Sequence, residues 1–337
     1  MNIIKINVIT NFKNEFYSSI ALQSKKILSM DLTSIEKYGK EMQIEFKFIN
    51  YVDIDFSSDS YKDQLFLYTS SEDPGLLYKS YIEDILLGLE SQGAILIPGF
   101  NFFRAHHNKV YMEILRNILL KDIDTGISSK SFGTLEDFLK RKNDFEAPAV
   151  IKNAEGAGSK GVALIKDSSA LVNLPSKISN SFNFKLFVKQ LIGRWQPFSM
   201  NRKKFVIQNF IPNLNCDYKV LVFGSKYYIL KRSIKKNDFR ASGSGSFDLE
   251  PKTPNGLFDF SEIIFQKLKV PILSLDIAYD GLKFYLIEFQ AINFGTVTLE
   301  ESSRYFYKKN NEWHIAEEKS ILEQEFVRSV SEFLQKH

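Results

Sequence analysis

The chain has 337 residues, 44% of them hydrophobic and 25% charged, which is enough apolar material for two or three lobes with cores of their own. Its single cysteine, Cys216, excludes a disulfide framework and a multi-cysteine zinc site, and reads as a buried or half-buried thiol in a reducing compartment. A net charge of only +4 lacks the basic concentration of a nucleic-acid binder, and no apolar run approaches the roughly eighteen residues of a membrane span. The expectation is a cytoplasmic protein with neither a nucleic-acid nor a membrane partner, with oligomerisation left open.

The N-terminus, MNIIKINVITNF, alternates apolar and polar residues and predicts a strand, without the charged leader and cleavage site of a targeting peptide. Residues 1–105 then mix β-rich runs at 3–9, 44–49, 64–68 and 94–97 with a helical stretch at 78–90, the pattern of an α/β lobe containing parallel strands. Turn chemistry fills 68–75. Because loops at the carboxyl ends of strands hold ligands in such lobes, this loop and Arg104 are candidates for substrate contact, against a plain surface turn. His106 and His107 precede the next helix. No further ligand lies near them in sequence, so a structural or substrate-facing role is favoured over a metal one. Asn108 is the expected cap of a helix with Val110, Ile114, Leu115 and Ile118 on its apolar face, and a second helix is expected over 134–142.

From Ala149 the pattern becomes strand, glycine loop, strand: AVIKNAEGAGSKGVALIKD. Gly156, Gly158 and Gly161, with Ser159 between, could let the backbone approach a phosphate while Lys152 supplies charge; a plain glycine hairpin fits these residues equally. Residues 176–204 resist placement. Strands follow at 205–210, 218–223, 226–232, 274–278 and 284–289, with helices at 258–268 and 320–335, and SGSGS (242–246) reads as a mobile loop. Gln208, Asn209, Phe210 and Ile211 end a strand with backbone groups beside an apolar surface, suited to an adenine edge, and Asp217 could accept from ribose hydroxyls. Arg232 and Arg240 flank KKNDF and suit oxyanions through their planar forks. Glu288 and Gln290 share one strand face, and if 274–278 pairs with 284–289 around Asp280-Gly281, Asp276 falls beside Glu288. Two carboxylates and an amide oxygen suit Mg²⁺, against a solvated hairpin face.

The order of these pieces resembles the ATP-grasp superfamily over about residues 106–295, most nearly the glutamate ligases acting on a ribosomal protein and more loosely D-alanine:D-alanine ligases. The family order of Lys and glycine loop, hinge, Asp-Tyr-Arg-Val, arginine pair, then Asp and Glu-x-Asn reads here as Lys152 with Gly156 to Gly161, Gln208 to Ile211, Asp217 to Val220, Arg232 with Arg240, and Asp276 with Glu288 and Gln290. Asn108-Lys109 matches a polar residue and lysine that open a family helix. Lys219 replaces an arginine, losing its fork, and Gln290 replaces an asparagine, so Asn293 is an alternative third metal ligand. The resemblance implies an α/β fold of three lobes: N-terminal α/β (1–105), central with the glycine loop (106–210) and C-terminal with the metal site (211–337). It implies ATP and Mg²⁺ as cofactors, Lys109 and Lys152 on phosphates, Asp217 on ribose, Arg232 and Arg240 as catalytic groups, and SGSGS as a closing loop. The implied reaction joins a small-molecule or peptide carboxylate to an amine through an acylphosphate; a kinase-like transfer or a silent nucleotide-binding protein are the alternatives.

Overall fold

The computed structural model describes residues 3–17, 19–20, 27–58, 60–156, 161–196, 198–234, 239–240 and 247–337. The N-terminal part runs β1 (Ile4–Thr10), a short pair β2 (Ser19–Ile20) and β3 (Ile27–Leu28), α1 (Leu32–Glu41), β4 (Ile44–Asn50), β5 (Leu65–Tyr68), α2 (Leu77–Ser91) and β6 (Ile95–Ile97). As the alternation predicted, β4, β1, β5 and β6 form a parallel sheet in that order. Asp31 starts α1 by accepting from the Ser34 amide at 2.9 Å.

Two helices lead out of this lobe, α3 (Phe100–Ala105) and α4 (Lys109–Leu119). Asn108 caps α4, its side chain accepting from the Tyr111 amide at 3.2 Å. Of the expected apolar face Leu115 is buried as predicted, but Ile114 and Ile118 are exposed, and Met112, Glu113 and Arg116 turn inward beside Leu115. A polar network decides the rotation. Glu113 accepts from Arg116 Nε at 3.0 Å and Ser129 Oγ at 2.6 Å, while Arg116 donates to the carbonyls of Leu286 at 2.6 Å and Ile287 at 3.2 Å. Every charge on the inward face is thereby answered, and α4 is tied to the C-terminal sheet.

The central part comprises β7 (Ser129–Phe132), α5 (Leu135–Leu139), β8 (Ala149–Asn153), β9 (Val162–Ile165), α6 (Ala170–Ser179), α7 (Phe184–Leu191) and β10 (Phe205–Asn209), with an antiparallel sheet ordered β7-β10-β8-β9. Thr134 caps α5, which stops three residues short of the expected Lys142 end. Phe132, Phe138, Ile151, Ile165, Phe205 and Ile207 pack into a core belonging to this lobe alone.

The C-terminal part contains β11 (Cys216–Phe223), β12 (Lys226–Ser233), β13 (Phe247–Asp248), α8 (Leu257–Leu268), β14 (Ile272–Tyr279), β15 (Phe284–Gln290), α9 (Val297–Glu300), β16 (Tyr305–Lys309), β17 (Glu312–Ala316) and α10 (Leu322–Lys336). Its antiparallel sheet runs β15-β14-β11-β12-β16-β17, with β13 also on β12. One face shares a continuous core with the N-terminal lobe, where Phe16 meets Phe326 at 5.6 Å between ring centroids and the Tyr17 hydroxyl donates to the Ala291 carbonyl at 3.1 Å. Cys216 is half-buried and unoxidised. Among the described residues no helix is long and apolar enough to cross a membrane.

Candidate active site

Strand register builds the site. Arg232 on β12 stands opposite Asp217 on β11; two residues along, Lys219 stands opposite Asp276 on β14, which stands opposite Glu288 on β15. Because alternate residues of a strand share a face, these charges form one row across four neighbouring strands. Facing them, β8 presents Val150 and Lys152, also two apart, and β10 presents Gln208. Apart from Gly161, Arg104, His106, Asn293 and the 68–75 loop, every described candidate lines the resulting cleft, a cavity of about 250 Å³. Gly158, Ser159 and the SGSGS loop lie outside the described residues.

The row is ionically organised. Arg232 forks onto Asp217 at 2.6 and 2.8 Å and reaches Asp276 Oδ2 at 2.9 Å, while Lys219 Nζ stands 3.6 Å from Asp276 Oδ1. Burial raises the Asp276 carboxyl, but Arg232 and Lys219 outweigh it and hold it below the usual range. Burial dominates at Asp217 and lifts it to about 6 against the pull of Arg232. Asp217 thus has both oxygens engaged by Arg232, a different arrangement from the ribose contact the resemblance implied. Asp276 Oδ1 is buried without a hydrogen-bond partner, since Lys219 approaches too distantly to donate. An orphaned carboxylate oxygen beside Glu288, with the Gln290 amide 3.4 Å from Glu288, is a donor set of the kind a hard divalent cation takes. Mg²⁺ fits these residues.

On the facing wall Lys152 is buried; desolvation lowers its pKa, opposed by Glu113 and Glu288. Lys109 opens α4 and donates from Nζ to the Gly156 carbonyl at 2.5 Å, which ties the helix to the glycine loop. Apolar walls that the sequence reading missed come from Met112, Val150, Val162, Leu214 and Ile287. The signal for Val150 was its i−2 relation to Lys152; Leu214 and Ile287 pack around Ile211, which an eye on the hinge alone does not reach.

Three expectations change in detail. Gly161 does not line the cleft; its φ of +75° and a would-be Cβ 2.5 Å from the Asn153 amide make it a hairpin-closing glycine. The Asn209 side chain accepts from the Ser128 amide at 2.8 Å and donates to the Gly126 carbonyl at 3.2 Å, and its own N–H donates to the Ser128 carbonyl at 3.0 Å, so it fastens the strand end. Asn293 is no alternative metal ligand: its Oδ1 accepts from Thr69 Oγ1 at 3.0 Å and the Ser70 amide at 3.4 Å, so it fastens the loop after β5.

Beside the cleft lies a cluster assembled from distant segments. Glu72, from the 68–75 loop, stands 2.9 Å from His107 Nε2 and 3.6 Å from His106 Nε2, and is the third group that the local sequence around the histidines did not offer. Lys79 contacts His106 Nδ1 at 3.1 Å and Ser70 Oγ. With the ammonium donating to Nδ1, the neutral ring carries its proton on Nε2 and directs it toward Glu72, which leaves no lone pair there for a metal. Burial pushes His106 down to about 3 and Lys79 down to about 8. His107, with φ at 60°, lines both the main cleft and a smaller cavity that also receives Arg104 and Lys204.

No protein-family model and no curated protein sequence matches the chain. Solved structures match along nearly its full length. A RiPP-associated ATP-grasp ligase from Chryseobacterium gregarium, in complex with ADP and a leader and core peptide, is 12% identical, with 100% of this chain and 97% of that one covered and a TM-score of 0.56. The D-cycloserine synthetase DcsG is 11% identical over 98% of this chain and 99% of that one, TM-score 0.54. The macrocyclase MdnC from Microcystis aeruginosa MRC, bound with precursor peptide MdnA, is 10% identical over 99% and 100%, TM-score 0.52. At such identities the likeness establishes the fold, and the chain has the ATP-grasp fold.

Proposed function

We propose that this ATP-grasp chain is a carboxylate–amine ligase that forms an amide or peptide bond through an acylphosphate and releases ADP and phosphate. One observation carries the reading: a single cleft confronts two lysines on one wall with a row of paired carboxylates on the other, and two arginines join them. Lysines and a metal suffice to activate a γ-phosphate; the additional guanidinium of Arg240 suits a bound carboxylate and the charge of its acylphosphate, while Arg232 is committed to Asp217 and Asp276.

In this reading the adenine lies between Val150, Ile211 and Ile287, with Gln208 to Ile211 offering backbone groups to its edge. Lys109 and Lys152 neutralise phosphates. Asp276, Glu288 and Gln290 would hold Mg²⁺, which supplies charge neutralisation for the phosphates when bound. The substrate carboxylate, oriented by Arg240, attacks the γ-phosphorus; the amine then attacks the acyl carbon, and phosphate leaves. Arg232, already locked between Asp217 and Asp276, keeps the metal-holding carboxylate ionised and in place. The second substrate enters beside the 68–75 loop, where His107, held by Glu72, and Arg104 face the smaller cavity.

The test is isotopic. With the substrate carboxylate labelled with ¹⁸O, one labelled oxygen should appear in the released phosphate, and amide should match ADP in amount. Label confined to the organic product, with ADP formed whether or not amine is present, rejects the ligase in favour of hydrolysis or transfer to a hydroxyl. Absence of ADP with every acid tried, alongside tight ATP binding, favours a silent nucleotide-binding protein.

A further inference from the structure

Residues 168–204 contain seven lysines and arginines and no aspartate or glutamate, so this stretch alone exceeds the net charge of +4 carried by the whole chain. Within it α7, FKLFVKQL, sets Phe184, Phe187, Val188 and Leu191 at i, i+3, i+4 and i+7 on one face. In a globular protein such a face turns inward. Here no residue of α7 is buried: Phe184 is 71% exposed and Leu191 70%, and the flanking Phe182, Ile192 and Trp195 are 55%, 57% and 51% exposed. With large side chains of ~150–250 Å² each, these exposures offer on the order of 600 Å² of apolar surface, at the top of the range of the largest patch that a monomer ordinarily leaves open. Next to the helix, Lys177, Arg202 and Lys203 line a shallow groove with Asn180, Ser181 and Asn183, and no acid joins them.

We propose that α7 and its flanks dock the protein on an anionic lipid surface. The apolar face enters the acyl boundary, Lys185 and Lys189 stay at the headgroups with their stems along it, and the cationic groove takes a lipid phosphate. Trp195, with Lys189 5.8 Å over its ring, has the amphipathic character of interfacial tryptophans. Charge selects this occupant over a second copy of the chain, because a symmetric pairing of this face would press two acid-free, basic stretches together. The sequence expectation of no membrane partner rested on the lack of a span, and a surface helix needs none. None of the residues lining the ATP-grasp cleft falls within 168–204, so docking leaves that cleft open.

The full-length protein should float with phosphatidylcholine vesicles that contain phosphatidylglycerol and not with phosphatidylcholine alone, and salt should release it. In a Trp313→Phe background, Trp195 emission should shift to the blue on binding. Phe184→Asp combined with Leu191→Asp should abolish flotation, and Lys185→Glu and Lys189→Glu should each weaken it at least about fivefold, all with ATP binding unchanged as the control for folding. Wild-type protein that ignores anionic vesicles at low salt, or Asp variants that float equally, would overturn the proposal. So would a concentration-dependent dimer that the Asp variants abolish without any vesicle binding, which gives the face to a second copy, or preferential binding of poly-glutamate over vesicles, which gives it to an acidic protein.

Discussion

Lowering the pH from about 7.5 to about 5 should destabilise the protein through His106. Its ring is buried and 3.1 Å from the Lys79 ammonium, and its pKa falls to about 3 from an ordinary value of 6.5. Between those values the unfolded chain binds a proton that the native one refuses. The contribution is therefore complete above 6.5 and declines as the pH falls toward 3. At pH 5 linkage gives a loss of about 2 kcal/mol from this residue. Lys79, depressed to about 8, is mostly protonated at the top of the window and fully so below it, and Glu72, whose pKa is lowered, stays ionised in the native protein. Neither cancels the effect. Urea unfolding of wild type and His106→Gln, followed by Trp313 fluorescence in a Trp195→Phe background, isolates it: the wild type should lose about 2 kcal/mol more than the variant over this range. Parallel losses in the two proteins would refute the buried, neutral imidazole.

Glu113→Ala leaves Arg116 buried without its carboxylate and should cost about 3–5 kcal/mol by denaturant titration, part of which Arg116→Met in the same chain restores. Gly161→Ala imposes a side chain at φ +75° against Asn153 and should cost about 1–2 kcal/mol by the same assay. Arg232→Lys keeps the charge but loses the fork across Asp217 and Asp276, so ADP release should fall about tenfold or more while calorimetric ATP affinity stays within a few-fold. Glu288→Ala should remove turnover without unfolding the protein; undiminished activity at saturating Mg²⁺ would reject it as a metal ligand.

The C-terminal row was legible because strands repeat every two residues. Glu288 and Gln290 share a face by the two-residue repeat, and β14 and β15 pair around Asp280-Gly281 as expected, but a register shift between Asp276 and Ile277, which the sequence did not reveal, is what sets Asp276 opposite Glu288 rather than Ile287. The rotation of α4 was not legible in the same way. Its inward face is stabilised by Glu113 and Arg116, and the carbonyls of β15 that receive Arg116 lie 170 residues away. Glu72 escaped for a related reason, since only the tertiary fold brings the 68–75 loop to His106 and His107. The hairpin of β16 and β17 went unread because YFYKK and EWHIA place polar and aromatic residues on both faces, as an edge pair permits. Residues 176–204 resisted because α7 spans only 8 residues, about two turns of helical pattern set between irregular segments rich in Ser, Asn and Lys.

The central sheet's private core has a consequence for how tightly this cleft can be set. The N- and C-terminal sheets cannot separate without opening a shared apolar interior, whereas a displacement of the central sheet would leave its own interior intact and break only polar ties such as Lys109 to Gly156 and Ser129 to Glu113. Lys152 sits on the central sheet while Asp276 and Glu288 sit on the C-terminal one, so any such displacement would change the electrical balance of the cleft. Posture and occupancy are then two readings of one equilibrium: whatever neutralises the fixed carboxylates alters the pull on Lys152, and holding the central sheet down alters the affinity for that neutralising group by the same factor.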